Sequence, residues 1–164
     1  MTPHTSPSTP TRDPGDPNRY VPPSGRGDRW FGAAVRRLTA WGLPLFGSRV
    51  LTVTGRRSGL PRSVPVNLLV LDGERYLVSP RGRTEWVRNA RASGSAQLRV
   101  GRRVEQVTLT ELPVGDRLPV LRRYLQRWGW EVGAFVDGLT RDATDAELTN
   151  AAPGFPVFRV RTRR

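Results

Sequence analysis

The residues with the clearest chemical capacity lie in one short stretch, Thr54-Gly55-Arg56-Arg57-Ser58-Gly59-Leu60-Pro61-Arg62. Its guanidiniums offer planar, paired donors to phosphate or carboxylate, and its glycines let a ligand approach the main chain. This composition suits an anion cradle. An arginine-decorated hairpin with no ligand would read the same way, so the stretch alone leaves both open.

What is missing narrows the chemistry further. All 27 basic residues are Arg, cysteine is absent and His4 is the single histidine. Schiff-base and P-loop lysines, thiol nucleophiles, disulfides, zinc sites and a histidine general base are therefore excluded together. For an enzyme these absences favour a reactive group carried by a cofactor, with the polypeptide supplying binding, orientation and electrostatics, although many non-enzymes lack the same residues.

The formal net charge is +13 over 164 residues. Residues 49–103 hold twelve Arg against Asp72, Glu74 and Glu85, so the excess is concentrated in about a third of the chain. Such a field favours an anionic partner: nucleic acid, an acidic membrane surface or a small polyanion. A solvated surface in an Arg-biased proteome is the bland alternative.

The elements that must position these residues follow from patterning. Residues 1–27 are rich in Pro and lack an apolar run, which predicts a disordered tail whose removal leaves the body unaltered. There is no apolar core of a secretory signal, and a cytoplasmic location is expected. From Asp28, the spacing of Trp30, Ala34, Leu38, Trp41 and Leu45 predicts an amphipathic helix, with Arg29, Arg36 and Arg37 elsewhere on the wheel. That helix suits packing on the body, lining a greasy pocket or contact with a membrane surface through Trp30.

Strands are predicted at 50–54, 63–71 and 74–79, with Val64, Val66, Leu68 and Val70 sharing one face and Asp72-Gly73 closing a hairpin. Pro65 within the second strand indicates an edge or a bulge. A helix after Thr84 carries Trp86, Ala90 and Ser93 on one side and ends at Gly94, and a second hairpin covers 96–112. Asp116 opens a helix with Leu118, Leu121, Leu125 and Trp128 as its stripe; Thr144 and Glu147 have capping-box spacing, and 155–160 returns as a last strand. The order predicts an α+β domain over 28–164, a small split antiparallel β-barrel of about six strands with flanking helices.

Five segments in this order resemble a known family: the Thr54–Arg62 stretch, Val64-Pro65-Val66-Asn67, Ser79-Pro80-Arg81-Gly82, Trp86-Val87-Arg88-Asn89 and Pro156-Val157-Phe158-Arg159. The sequence is similar to the deazaflavin-dependent nitroreductases, or quinone reductases, of the split β-barrel flavin-binding class. The resemblance implies an oxidoreductase passing hydride from reduced coenzyme F420, a deazaflavin, to a hydrophobic organic acceptor such as a nitro compound, quinone or activated alkene. Flavin mononucleotide (FMN) is the alternative cofactor. It also implies that Arg56, Arg57, Ser58, Gly59 and Arg62 grip the phosphate and acidic tail. Pro65, Val66 and Asn67 would lie along the ring, with Ser79, Arg81 and Trp86 closing the other side. Some members of the family form homodimers.

Three departures stand out. Arg57 occupies a position where the family commonly has Lys, and Phe155 precedes the terminal Pro-Val-Phe-Arg where many members have His. Tyr20, Tyr76 and Tyr124 do not align with the family's substrate tyrosines. Plainer roles are expected elsewhere: Trp86 as core or ring contact, Asn89 as a local hydrogen-bond anchor, Asp137 and Asp142 as solvated, Trp128 and Trp130 as a satellite cluster. No catalytic residue and no metal site is assigned. Two rival functions remain, a non-catalytic flavin or lipophilic-anion binder and a basic nucleic-acid-binding domain. The latter lacks any helix-turn-helix, zinc-finger or aromatic RNA-binding signature.

Overall fold

The computed structural model describes residues 12–22, 48–100, 102–133 and 136–163. The predicted helix around Trp30 lies outside them. Six strands are present: β1 (Ser48–Thr54), β2 (Pro61–Leu71), β3 (Glu74–Val78), β4 (Ser95–Val100), β5 (Arg103–Glu111) and β6 (Val157–Thr162). They close into a barrel in the order β1-β2-β3-β6-β5-β4, with every neighbour antiparallel. Among the described residues three α-helices accompany them: α1 (Glu85–Ser93), α2 (Leu118–Val132) and α3 (Asp145–Ala151). The α+β barrel read from the sequence is the fold observed.

Period-two alternation builds the interior. Leu51 and Val53, Val66, Leu77, Leu98, Val107 and Leu109, and Phe158 and Val160 come from all six strands into one buried cluster, which Val87 and Ala90 of α1 complete. Burying each of these larger side chains is worth roughly 1.5–3 kcal/mol. A second cluster lies on the opposite face of β2, β3 and β6, where Leu69, Tyr76, Val78 and Val157 pack under Leu121, Leu125 and Trp128 of α2 and Leu148 of α3. The two clusters sandwich the β2-β3-β6 wall.

Strand β2 changes partners along its length. Pro61–Asn67 pairs with β1, whereas only Leu68–Leu71 pairs with β3. Pro65 stands opposite Val50 in an unbroken register, so there is no bulge, and β3 forms no ladder pair at Pro65. A residue without an N–H is tolerated there because the ladder is one-sided. Beyond this crossover, Val70 is 53% exposed instead of sharing the interior with Val64, Val66 and Leu68.

Local signals fix the connections. Asp72 and Gly73 both have positive φ (51° and 77°), the backbone of a type I′ hairpin. Gly94 ends α1 in the left-handed region, φ 63°. Thr84 occupies the N-cap of α1 but its hydroxyl makes no capping bond. The capping box of Thr144 and Glu147 is complete. Asp116 belongs to a single 3-10 turn, and α2 starts after Arg117.

The expected disordered tail is corrected over residues 12–22, which pack as a strap on the barrel. Val21 N donates to Arg81 O and Arg81 Nε donates to Val21 O, both at 2.9 Å, while Arg83 N donates to Arg19 O at 2.7 Å. Arg19 is fully buried, lies 4.4 Å over the Phe155 ring and donates to Asp137 at 2.7 Å and to Pro80 O at 2.8 Å. Burial pushes the Arg19 guanidinium below its ordinary value although Asp137 opposes this. Asp137 is consequently not solvated: it pairs with Arg12 and Arg19. Burial raises its carboxyl and the hydrogen bonds from the two arginines more than reverse that, leaving it below the usual carboxylate range. Composition misled here because the ordering cost of a Pro-rich segment is offset by long-range partners that composition does not record.

Candidate anion-binding cleft

The β1–β2 turn is closed by its own main chain. Gly59 N donates to Gly55 O and Gly55 N to Leu60 O, each at 2.8 Å, and Leu60 N donates to Ser58 Oγ at 3.3 Å. Gly59 has φ 67°, which favours glycine, and a Cβ on Gly55 would stand 2.8 Å from Ser58 Oγ. Among the described residues the amides of Arg57 and Ser58 have no partner, leaving two donors at the tip.

Helix α1 docks this turn. Asn89 is buried, and its Oδ1 accepts from Arg56 N at 3.2 Å and from Arg56 Nη1 at 3.0 Å. Glu85, one turn earlier, pairs with Arg56 Nη1 at 2.7 Å and with Arg88 Nη1 at 3.1 Å. The Arg56 hydrogen bond lowers the Glu85 carboxyl, burial opposes it, and the charges of Arg56, Arg88 and Arg57 add to the lowering, which leaves it below its usual range.

Arg56, Arg57, Arg83, Arg88 and Arg91 line an open cleft of about 540 Å³, with Ala92 at its edge. Two carboxylates face these five cations. Glu85 serves Arg56 and Arg88, while Glu111 accepts from Arg91 Nε and Nη2 at 2.7 and 2.8 Å. Arg83 Nη1 donates to the neutral Asn18 of the strap at 2.8 Å, and Arg57, whose charge acts on Glu85, makes no ion pair among the described residues. Nε of both Arg83 and Arg88 is buried without a hydrogen-bond partner among the described residues. The chemistry of this donor set fits a ligand with several negative charges, as the acidic end of F420 requires.

The residues predicted from the sequence divide between the cleft and other tasks. Arg56 and Arg57 line it, and Ser58 and Gly59 form the turn above it. Arg62 is exposed beside Gly55 and does not line the cleft. Pro65 and Asn67 are half-buried on β2, whereas Val66 between them points into the barrel core. Ser79 is buried and its Oγ donates to Gly82 O at 2.7 Å, fastening the loop that receives the strap. Arg81 is engaged with Val21 O, and Trp86 packs on the barrel core with its ring 5.5 Å from that of Phe158. Trp128 is buried against Tyr124, while Trp130 is 70% exposed, so the two do not form one cluster.

Sequence reasoning missed Arg83, Arg88, Arg91 and Glu85. A signal was present: Glu85, Arg88 and Arg91 recur every three residues, along one face of α1 away from Val87 and Ala90. Among the described residues no group of acidic or histidine side chains could hold a metal, and no helix is long and apolar enough to cross a membrane.

No curated protein matches the chain. Among solved structures, the protein Atu2129 of Agrobacterium tumefaciens str. C58, of unknown function, has TM-score 0.52 and 17% identity over 88% of this chain and 60% of its own. This chain therefore spans 60% of that relative's length. A chain described as a domain-swapped dimer has TM-score 0.50 and 20% identity over 83% of this chain and all of its own. An F420-H2 dependent reductase, FDR-A, has TM-score 0.48 and 21% identity, covering 70% of this chain and 94% of its own. The first two support the barrel fold. The family profile described as F420H(2)-dependent quinone reductase matches residues 28–132, which take in the arginine turn, α1 and most of the barrel, and the chain belongs to that family.

Proposed function

We propose that the protein is an F420H2-dependent oxidoreductase that reduces a hydrophobic organic acceptor, a nitro compound, quinone or activated alkene. The observation that carries the reading is the arginine cleft beside the β1–β2 turn, where Arg57, Arg83 and Arg88 keep cationic donors available to an anion. Family membership supplies the coenzyme class. When bound, reduced F420 supplies a hydride, and water or a hydroxyl supplies the accompanying proton.

The chain's own task is positional. Arg56, Arg57, Arg83 and Arg88 bind the phosphate and acidic tail, with the Arg57 and Ser58 amides as further donors. Asn89 fixes the turn relative to α1, so the donors are oriented before the ligand arrives. Pro65 and Asn67 provide the half-buried strand face for the ring, and Val66 holds that face by packing inward. Holding donor and acceptor near contact distance supplies up to about 7–11 kcal/mol of the barrier. A positional contribution needs no side-chain nucleophile, which suits a chain with no cysteine and with its single histidine at position 4.

The test mixes reduced F420 with menadione or a nitroaromatic and follows coenzyme oxidation by absorbance. Oxidation above the protein-free blank is expected, and binding without oxidation would make the protein a carrier. A homodimer belongs to the same reading, motivated by the similar chain described as a domain-swapped dimer. Sedimentation at micromolar concentration checks it, and a monomer with full activity would remove that element.

A further inference from the structure

Two of the cleft's cations, Arg56 and Arg88, share one carboxylate. Glu85 places one carboxylate oxygen 2.7 Å from Arg56 and the other 3.1 Å from Arg88, bridging two of the five cations with both of its oxygens. Yet it is not buried as a structural ion pair would be. Its side chain is 68% exposed, against 24% for Arg56 and 40% for Arg88. A carboxylate so exposed is rehydrated at little cost when its partners are taken.

Resting on the reading above, we propose that Glu85 is an internal counter-anion, which an anionic group of the ligand replaces on Arg56 and Arg88. It thereby sets the affinity of the cleft and reserves it for ligands with more than one negative charge.

Two opposing effects of Glu85 must be weighed. It competes with the ligand, and it also orients the two guanidiniums. Orientation does not depend on it for Arg56, because Asn89 Oδ1 accepts from both Arg56 Nη1 and Arg56 N. Arg88 is carried on α1, and its Nε is buried with no hydrogen-bond partner among the described residues, so it gains a bond when a suitably placed anion arrives. Competition therefore outweighs orientation. A monoanion that replaces Glu85 gains at most the Arg88 Nε bond, whereas a polyanion also reaches Arg57 and Arg83, which make no ion pair among the described residues.

Arg91 shows the contrasting arrangement. Its carboxylate partner, Glu111, is shared with the buried Arg117, which also donates to Leu112 O and Ala152 O at 3.0 Å. Displacing Glu111 would strand a buried cation, so that pair stays closed. Glu85 is the carboxylate of the cleft that can leave.

The experiment is calorimetric titration of the full chain, and of its Glu85→Gln and Glu85→Asp variants, with inorganic tripolyphosphate at fixed salt. An exposed ion pair is worth up to about a factor of five in an equilibrium. Removing two is expected to tighten binding about three- to tenfold in Glu85→Gln, with Glu85→Asp staying within about twofold of the parent. Unchanged or weaker binding in Glu85→Gln would overturn the proposal and make Glu85 an orienting group. So would failure of both parent and variant to bind tripolyphosphate. A second readout needs no variant: the side-chain carboxyl 13C resonance of Glu85 should move as tripolyphosphate saturates the parent, and a stationary resonance contradicts the proposal. The coenzyme reading fails separately, when F420 neither binds nor is oxidised while tripolyphosphate still binds.

Discussion

Gly154→Ala isolates the energetic worth of the strap. A Cβ at Gly154 would stand 2.1 Å from Pro14 O and 2.9 Å from Pro14 C, both main-chain atoms that cannot rotate aside. Its φ is not in the left-handed region, so alanine adds no backbone strain; the collision with the strap is the entire penalty. Gly82 makes a similar approach to Arg19 O, also 2.1 Å, but its φ of 79° would confound the result.

Displacing the strap loses the charge-assisted hydrogen bonds of Arg19, about 1.5–3 kcal/mol each. It also exposes Val21, roughly another 1.5–3 kcal/mol. Rehydration of Arg19 and the regained freedom of residues 12–22 offset a large part. A net loss of about 2–4 kcal/mol is expected, or roughly 5–15 °C in Tm for a domain of this size. The assay is thermal unfolding of the parent, Gly154→Ala, a chain lacking residues 1–22, and the combination. Alanine should be nearly silent once the strap is gone, because the two changes remove the same interaction. Full additivity, or a truncated chain melting within a degree of the parent, would refute the reasoning.

Other expectations follow from the same geometry. Asn89→Ala removes the acceptor of Arg56 N and Arg56 Nη1, and should weaken F420 binding about tenfold while costing about 1–3 kcal/mol of stability, measured by calorimetry and urea unfolding. Glu105 is held at about 2 by hydrogen bonds from Arg75 and Thr162. Its contribution is therefore complete above the unfolded value near 4.5 and disappears as pH falls toward about 2. Arg75→Met should move the Glu105 titration upward in a 13C-detected series, and an unmoved midpoint would reject the pairing. Because Arg62 does not line the cleft, Arg62→Ala should weaken coenzyme binding less than Arg57→Ala, and the reverse order would relocate the anion site to the β2 side of the turn.

The barrel was legible because its determinants are local. Alternation in β2 and β5, the Asp72-Gly73 turn, Gly94 after α1 and the Thr144 capping box each act within a few residues. What escaped was tertiary. Arg83 follows a loop, Arg88 and Arg91 lie on a helix and Arg57 on a hairpin, and only the closing of α1 onto β1 brings them to one cleft. The strap escaped for the same reason: Arg19 is ordered by Asp137 and Pro80, 118 and 61 residues away. The resemblance implies that Ser79 and Arg81 close one side of the ring, yet the bonds they make here hold Gly82 and Val21.

The central claim is that the guanidiniums beside the β1–β2 turn hold the acidic end of F420, and it is tested most directly by the Kd of F420 for the parent and for Arg57→Ala at one ionic strength. Loss of a charge-assisted contact predicts binding weaker by about 1–3 kcal/mol, roughly 5- to 150-fold, with the variant's melting temperature unchanged. Equal affinities in the two proteins, or no F420 binding by the parent, would contradict the account.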